Sequence, residues 1–571
     1  MANHYLLIAL TSVLLFILNH ASAKNNKTPL RQVNELIAQY VQPGEPGCAV
    51  AVIQNGEALY QQTYGMMNLE YDLPVSNETV FNLGSVSKQF TAACILLLAN
   101  EKRLSLDDDI QTYLPEWPAY GEMVTIRHLL HHTGGIVDYD WLVALAGWKE
   151  TSPGREFTLD LIRRVKELNF PPGQAYYYSN SGYLLLGLIV ERVSGMPLSA
   201  FTAERIFKPL NMTRTLIHDD AGLIIKQRAD SYMKTEEGDF IGLRGYQSTT
   251  VGDNNVYTTI GDMIKWDANF RKHIVGGKDF AQQMFTRGIL NNGDTTIYAM
   301  GLVVEPYRGL RSVSHGGLTQ GYKSHYLQFP DQQFSVICLA NELHIDAGKI
   351  CRSIADIYLE DQLEDQPVAT TEQKADALEP SYAIDAAGLK EYAGRYGING
   401  NLVMVLSQRE EALYGQVPGQ TEVQFFPKAK DVFYLKVVEA EGNFQRDSSG
   451  QVSGLIWHQG GRSTPMTRME DEPLSGEQLQ NFSGTYFSPV LQTVYRISSK
   501  EGRLWLTMPE MPEMLNIPRP AAMNHLQGNR FAVPYATIEF TVAEDGPVNG
   551  FTYEHPSGRI KLQFEKQSDV Q

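Results

Sequence analysis

Cysteine is scarce in this chain, with four residues among 571. So few cysteines exclude a small scaffold held together by disulfides. The four lie in apolar segments, and none pairs with another at the spacing of metal ligands. We therefore expect buried free thiols and no metal site, with a single disulfide left open. The four cysteines are Cys48, Cys94, Cys338 and Cys351.

Positive charge is also in short supply. The 48 lysines and arginines are outnumbered by 65 aspartates and glutamates, which gives a formal net charge of -17. A chain with this balance is repelled by phosphate backbones and by anionic membrane surfaces. We therefore expect no nucleic-acid partner.

Beyond its N-terminal segment, the chain has no apolar run that looks transmembrane. The run from Tyr5 to Leu18 has the length of a signal-peptide core and is too short to cross a bilayer comfortably. Ala21-Ser22-Ala23 follows as a small-x-small cleavage site. We predict a signal peptide over residues 1–23, a periplasmic or secreted protein, and no stable membrane span after cleavage. An uncleaved anchor is the alternative.

The segment from Phe81 to Leu98 carries the most informative pattern in the chain. Ser85 and Lys88 are three residues apart, so on a helix they share one face. Apolar residues recur behind them at helical spacing, which predicts a largely buried helix. A serine at a helix N-terminus lies among free N–H groups, and this suits a nucleophile whose attack creates an oxyanion. A desolvated lysine nearby can remove the serine proton.

The same spacing occurs a second time, at Ser231 and Lys234. That stretch is polar and has no apolar helix behind it. We interpret it as a turn or strand, so the spacing alone does not identify a nucleophile.

Two further segments are candidates for the same cleft. Tyr178 and Asn180 lie between Pro171-Pro172-Gly173 and a strongly apolar helix. From such a loop both side chains can point into one cleft. Tyr178 would act as a general base or acid if a nearby lysine lowers its pKa, and Asn180 would bind a substrate amide or that lysine. A helix start with stacked aromatic rings is the plainer interpretation.

His315-Gly316-Gly317 ends a predicted strand. Two glycines allow another backbone, such as an extended substrate, to come close to the strand edge. The next residue, Leu318, would donate a second oxyanion N–H. A glycine-rich strand end without function is the alternative.

The order of the predicted elements indicates an α+β domain. A hairpin turns at Asn55-Gly56, helices fill residues 125–210, and strands and a helix close the region between residues 298 and 360. We expect one antiparallel sheet built from both ends of this region and flanked by helices, with a helical insertion. His131 and His132 are interpreted as a packed helix end rather than a metal site.

The C-terminal part changes to short alternating strands. Residues 363–380 are acidic and are interpreted as a linker. The stretch from Leu389 to Tyr396 matches the stretch from Leu479 to Tyr486. This repeat predicts two small lipocalin-like β-barrels, at residues 381–472 and 473–571.

Taken together, these motifs resemble the serine β-lactamase and penicillin-binding-protein superfamily, and they are most similar to its class C β-lactamase, DD-peptidase, D-aminopeptidase and esterase branch. The resemblance lies in S-x-x-K at Ser85 and Lys88, Y-x-N at Tyr178 and Asn180, and a third motif at His315 to Gly317. It covers about residues 30 to 360 and assigns residues 24–362 to a serine hydrolase domain. Leu129 to Gly135 and Ile260 to Met263 are similar flanking stretches.

The resemblance implies a mechanism. Ser85 attacks a carbonyl and forms an acyl-enzyme, Lys88 and Tyr178 move the proton, and the N–H groups of Ser85 and Leu318 hold the oxyanion. Asn180 and residues 315–317 bind the substrate. Water then releases the acyl group, without a metal or another cofactor.

One departure from the family pattern bears on the substrate. Lys-Thr-Gly is usual at the third motif, whereas this chain has His315 and Gly316 at the first two positions. An unperturbed histidine titrates near pH 6.5, so His315 is expected to supply a cation only in acid. This favours small esters or peptides, including those with D-amino acids, over β-lactam-like substrates. A β-lactamase or DD-carboxypeptidase is the alternative, and a non-catalytic receptor for wall fragments or peptides is an alternative of another class.

Replacing the predicted nucleophile tests this interpretation. We expect Ser85→Ala to leave a folded protein whose turnover falls by on the order of 10³ or more. Ser231→Ala is the matched control and should change turnover little. Loss of activity in the Ser231 variant, with activity retained in the Ser85 variant, would refute the assignment.

Overall fold

The computed structural model describes residues 29–568 apart from 148–153, 236, 244–248, 365–381, 383, 399–401, 418–421, 439, 460–461, 470–473, 510–518, 534–535, 544–545 and 556–559. The predicted signal peptide and nearly all of the predicted linker therefore lie outside the described residues.

The N-terminal domain is built on a six-stranded antiparallel sheet with the order β10-β11-β12-β13-β1-β2. Its strands come from both ends of the domain, as the sequence predicts, because β1 pairs with β13 along its whole length. The strands of this domain are β1 (Cys48–Gln54), β2 (Glu57–Tyr64), β3 (Met66–Asn68), β4 (Leu73–Pro74), β5 (Phe81–Asn82), β6 (Leu216–Ile217), β7 (Tyr232–Lys234), β8 (Phe240–Gly242), β9 (Val256–Thr258), β10 (Val303–Tyr307), β11 (Leu310–Thr319), β12 (Tyr322–Phe329) and β13 (Phe334–Ala340).

Helices cover both faces of this sheet. They are α1 (Pro29–Ile37), α2 (Lys88–Asn100), α3 (Ile126–Leu130), α4 (Tyr139–Leu145), α5 (Arg155–Arg164), α6 (Asn180–Ser194), α7 (Leu198–Thr202), α8 (Ile260–Lys272), α9 (Phe280–Met284) and α10 (Ala347–Tyr358), with 3₁₀ turns at Gly84–Ser87 and Ile110–Thr112 and a π-helical turn at Ala203–Phe207.

Strand β1 shows how the sheet divides two cores. Val50 and Val52 face one side and pack with residues of α1 and α10, whereas Ala49 and Ala51 face the other side and pack with α2 and α8. This is the period-two alternation of a strand that is buried on both faces. The cleft described below lies on the side of α2.

The C-terminal region forms two closed eight-stranded antiparallel barrels, as the alternating pattern predicts. Barrel 1 comprises α11 (Ala386–Tyr392) and the strands β14 (Gly394–Ile398), β15 (Leu402–Arg409), β16 (Ala412–Gln416), β17 (Val423–Ala429), β18 (Val432–Tyr434), β19 (Ala440–Arg446), β20 (Val452–Gln459) and β21 (Arg462–Met469). Barrel 2 comprises α12 (Gly476–Phe482) and the strands β22 (Gly484–Ser488), β23 (Thr493–Lys500), β24 (Arg503–Thr507), β25 (Ala521–Gln527), β26 (Arg530–Val533), β27 (Ala536–Val542), β28 (Val548–Glu554) and β29 (Lys561–Lys566).

The internal repeat has a structural basis at the start of each barrel. The Tyr396 hydroxyl donates to the Tyr392 carbonyl at 2.8 Å, and the Tyr486 hydroxyl donates to the Phe482 carbonyl at 2.7 Å. In both copies this bond ties the first strand to the short helix before it, which explains why the matching stretches keep this tyrosine.

Two local expectations from the sequence, on the cysteines and on one strand boundary, can be compared with the structure. The four cysteines are buried free thiols, as predicted. Among the described residues, no group of histidine, cysteine or acidic side chains is arranged to hold a metal ion. No single described helix is long and apolar enough to cross a membrane, although α6 taken with the bent segment Leu198–Phe207 meets that test by length and composition. The first of the strands expected between residues 298 and 360 begins at Val303.

Candidate active site

Ser85 lies in the 3₁₀ turn that leads directly into α2. It is partly exposed, whereas Gly84, Val86 and Ser87 are buried. Gly84 has φ +52°, and a Cβ at this position would lie 2.7 Å from the Leu318 nitrogen. Because only glycine tolerates both the positive φ and this approach, Gly84 lets the serine turn pack against β11.

The Lys88 side chain is fully buried behind the serine. Its Nζ donates to Ser85 Oγ at 2.9 Å, to Asn180 Oδ1 at 2.7 Å and to the Asp253 carbonyl at 2.9 Å. An ammonium group has three protons to donate, so each has an acceptor. Burial lowers the pKa of Lys88 to about 8, although Asp253 opposes this shift. In a minority of the protein molecules, Lys88 is therefore neutral at pH 7.

Tyr178 corrects one expectation from the sequence. We expected a nearby lysine to lower its pKa, but burial raises the pKa of Tyr178 well above its usual value, and the Ser85 hydroxyl offsets only part of this rise. The Tyr178 hydroxyl is buried and has no aligned hydrogen bond, while the Lys88 ammonium lies 4.9 Å from the centre of its ring. Desolvation of the phenolate outweighs the attraction of the cation. Tyr178 therefore stays protonated.

Asn180 is the first residue of α6, and it bonds to the lysine, which is one of the two roles expected from the sequence. Its Oδ1 accepts from Lys88, and its Nδ2 donates to Asp140 Oδ2 at 2.7 Å. The pattern of donors and acceptors fixes the amide orientation, since the ammonium form of Lys88 can only donate and a carboxylate can only accept.

An acidic turn that the sequence analysis did not single out surrounds this group. Asp138 caps α4 by accepting from the Asp140 N–H at 3.0 Å, and its other oxygen accepts from the Asn180 N–H at 3.3 Å. The Tyr139 hydroxyl donates to Asp253 Oδ2 at 2.6 Å. Burial raises the pKa of Asp138 and of Asp253. The capping aspartate before an apolar run was visible in the sequence, but its partners lie far along the chain.

His315 corrects a second expectation. It lies inside β11 rather than at a strand end, and it is buried. Its Nδ1 is 2.7 Å from the Gly316 carbonyl, which can only accept, so Nδ1 carries the proton and Nε2 accepts from the Tyr298 hydroxyl at 3.0 Å. Burial lowers the pKa of His315 to about 3, and Lys88 contributes to the shift. His315 is therefore neutral near pH 6 and offers no cation to a substrate carboxylate.

The two glycines after His315 have different surroundings. A Cβ on Gly317 would lie 2.0 Å from the Leu83 carbonyl oxygen, so Gly317 permits the close contact between β11 and the serine turn. A Cβ on Gly316 would meet only His325, at 3.5 Å. Gly316 pairs with His325 across the sheet, and paired residues share a face. Gly317 therefore serves packing, whereas Gly316 has room for a side chain.

The edge of β11 is open beside the serine. Strand β10 pairs with Leu310–Ser314, whereas β12 pairs with Val313–Thr319. From His315 onward, β11 therefore has a described partner strand on one side only. Leu318 in this stretch is 46% exposed. An open edge of this kind can pair with an extended peptide.

His132 has a structural role beside Tyr178 that the sequence analysis did not predict. Its carbonyl accepts from the Tyr177 N–H at 2.8 Å, and its Nδ1 accepts from the Ser179 N–H at 3.1 Å. Its ring lies 4.3 Å from the ring of Tyr178. His132 thus holds the backbone on both sides of Tyr178 and packs against the side chain between them. The sequence pattern predicts only a packed helix end at His132, because the partner segment is more than forty residues away.

Comparison with protein-family models gives two matches. The family model described as Beta-lactamase matches residues 33–357, which span the sheet and every site residue named above. A model described as Domain of unknown function (DUF3471) matches residues 379–478, which include all strands of barrel 1.

Two curated relatives and one solved structure extend these matches. Penicillin-binding protein 4* of Bacillus subtilis is 28% identical over 426 residues, which cover 72% of this chain and 92% of the relative. D-aminopeptidase of Brucella anthropi is 30% identical over 309 residues, which cover 52% of this chain and 56% of the relative, so the match spans little more than half of that protein. The octameric penicillin-binding protein homologue from Pyrococcus abyssi superposes with a TM-score of 0.54 at 21% identity, over 85% of this chain and 99% of that one. This likeness shows the fold.

The contacts of His132 generate a prediction. His132→Leu removes the acceptor for the Ser179 N–H, and leucine tolerates the φ of +56° at this position poorly. We expect kcat for a small ester to fall by about 10²-fold, because a displaced Tyr178 loop misplaces catalytic groups. His132→Asn restores an acceptor and tolerates positive φ, so it should recover much of the activity.

A matched control comes from His128, whose ring accepts from the Thr125 N–H at 3.2 Å outside the site. His128→Leu should lower the melting temperature without lowering kcat. Equal kcat in wild type and His132→Leu would contradict the positioning role.

Proposed function

The chain belongs to the β-lactamase family and is a serine hydrolase, and we propose that it acts through an acyl-enzyme on Ser85, with small esters or peptides, including peptides with D-amino acids, as substrates. The observation that carries this proposal is the hydrogen-bonded group of Ser85, Lys88 and Asn180 beside the open edge of β11.

Acylation follows from the state of Lys88. The neutral fraction of the lysine accepts the Ser85 hydroxyl proton as Oγ attacks the substrate carbonyl, since the two atoms are already hydrogen-bonded. The carbonyl oxygen becomes an oxyanion, and we assign its stabilisation to the N–H groups of Ser85 and Leu318. The lysine proton then passes to the leaving alcohol or amine as its bond to carbon breaks.

Because Tyr178 stays protonated next to Ser85, it does not act as a base in this scheme and serves as a hydrogen-bond donor to the reacting oxygen atoms. Deacylation reverses the proton movements. A water molecule gives its proton to neutral Lys88 and attacks the acyl carbon, and Ser85 recovers its proton as the acid leaves. Every step uses groups that this chain supplies.

The substrate preference rests on what lines the β11 edge. His315 is neutral and is hydrogen-bonded at both ring nitrogens, so it offers no charge-assisted bond to a carboxylate. This favours neutral esters and peptides over anionic β-lactams. The relation to a D-aminopeptidase supports substrates with D-amino acids. The relation to a penicillin-binding protein keeps a DD-carboxypeptidase or β-lactamase as the second candidate.

Export is part of the proposal. The apolar run from Tyr5 to Leu18 followed by Ala21-Ser22-Ala23 supports a cleaved signal peptide and a periplasmic or secreted enzyme.

A substrate panel tests the proposed class. We expect kcat/KM to be highest for p-nitrophenyl esters or D-alanine p-nitroanilide, lower for the L-alanine anilide, and lowest for nitrocefin. Ser85→Ala is the control for background hydrolysis. A higher kcat/KM for nitrocefin than for every ester and anilide would replace the proposal with the second candidate.

The pH dependence tests the assignment of the base. Because the pKa of Lys88 is lowered to about 8, the neutral form accumulates as pH rises, and kcat/KM should increase through about pH 8 and then level off. Lys88→Arg keeps the cation but cannot lose its proton, and should lower kcat by about 10²–10⁴-fold.

The state of His315 gives a second pH prediction. His315 stays neutral above about pH 4, so the ratio of nitrocefin to ester hydrolysis should be flat from pH 6 to 9. A ratio of nitrocefin to ester hydrolysis that rises toward pH 6 would contradict the neutral state of His315.

A further inference from the structure

Barrel 2 touches the hydrolase domain at the helix that leads into the active site. The Tyr495 hydroxyl donates to the Leu145 carbonyl at 3.0 Å in a buried contact. The ring of His555 lies 5.2 Å from the ring of Trp141. A third contact joins Arg164 at the end of α5 to the Val490 carbonyl, at 3.3 Å. Leu145 and Trp141 belong to α4.

The apolar residues of the two parts are continuous. The buried side chains of the hydrolase domain and those of barrel 2 form one cluster, which includes Leu142, Leu145 and Tyr495. Barrel 1 has a separate core of its own, and it meets barrel 2 through Val403 and Leu526. The last segment of the chain is therefore packed into the first domain.

The opposite end of α4 holds the catalytic group in place. Asp138 and Asp140 accept from Asn180, and Tyr139 donates to Asp253, whose carbonyl accepts from Lys88. The helix has only seven residues, so the two ends are about 10 Å apart at 1.5 Å per residue. The barrel contact at Leu145 and the bonds to Asn180 are thus separated by only about two helical turns.

A helix this short needs outside support. Isolated helices of fewer than about twelve residues are marginal in water, and the last carbonyls of any helix have no partner within it. Tyr495 supplies a partner to one of these carbonyls, at Leu145. The contact between the rings of His555 and Trp141 supports one side of the helix.

We propose that barrel 2 is part of the catalytic unit, in which Tyr495 is a positioning residue that fixes α4 so that this helix can hold Asn180 and Asp253 around Lys88. The catalytic consequence rests on the function proposed above, whereas the effect on α4 itself does not. The C-terminal barrel thus tunes the serine site without touching the substrate.

Tyr495→Phe is the most direct test, because it removes one hydroxyl and keeps the ring. It leaves the buried Leu145 carbonyl without its partner, and we expect kcat for a p-nitrophenyl ester to fall about tenfold with KM changed little. Tyr553→Phe is the matched control. Tyr553 is a buried tyrosine of the same barrel, and within the described part of the chain no hydrogen bond joins it to the hydrolase domain. This variant should keep wild-type kcat.

The pH profile separates positioning from a general loss of stability. The charged and titratable groups of the described residues that face Lys88 are Asp138, Asp140, Tyr178, Tyr183, His132, His315 and Asp253. The three carboxylates raise the pKa of Lys88. If α4 loosens, the carboxylates of Asp138 and Asp140 withdraw from Lys88, and the rise of kcat/KM with pH should move to lower pH by about half a unit. Tyr553→Phe should leave it in place.

Hydrogen exchange gives a readout that does not depend on activity. The amides of α4 should exchange faster in Tyr495→Phe, and to a lesser degree in His555→Ala, than in Tyr553→Phe. Labelling of wild-type Ser85 by a fluorophosphonate tests the serine chemistry separately, so failure of the proposed function is distinguishable. The inference is overturned if Tyr495→Phe and His555→Ala both keep wild-type kcat, pH profile and α4 exchange. It is also overturned if Tyr495→Phe and Tyr553→Phe lose activity equally.

Discussion

The burial of one ammonium group organises the active site. Lys88 is fully enclosed, and an ion removed from water is tolerated only when its protons are bonded and compensating charge is near. Ser85, Asn180 and the Asp253 carbonyl accept its three protons, while nearby carboxylates act to raise its pKa. Desolvation still dominates, and the pKa falls to about 8. The same burial that makes the site costly to build lowers the pKa of Lys88 into the range that the proposed role as a base requires.

Close backbone contacts place this group against the sheet. Gly84 and Gly317 have no room for a Cβ, because the serine turn and β11 approach within van der Waals distance of each other. The Ser324 hydroxyl donates to the Leu83 carbonyl at 2.6 Å and secures the same contact from β12. Ser85, the proposed nucleophile, is therefore held at a fixed distance from the open strand edge. This combination suits an enzyme whose substrate lies extended along β11.

The environment of the third motif explains how the site differs from one built for anions. His315 is closed off by the Gly316 carbonyl and the Tyr298 hydroxyl, and burial keeps it neutral. Tyr178, whose ring lies 6.1 Å from the ring of His315, is kept protonated by the same lack of water. Positive charge in the group around Ser85 is thus concentrated on Lys88. A low dielectric and saturated hydrogen bonds, rather than residue type alone, set the charge state of each group.

The sequence by itself determined the local features: the shared face of Ser85 and Lys88, the helix after Asn180, the hairpin at Asn55-Gly56 and the alternating strands of two barrels. These depend on spacings of one to four residues, which fix turns and faces through the backbone geometry alone. Only the tertiary structure decided the raised pKa of Tyr178, the neutral state of His315, the bonds of His132 to the backbone on both sides of Tyr178, and the contact between Tyr495 and Leu145. Each of these depends on burial or on partners that are tens to hundreds of residues away, and no local pattern carries either quantity.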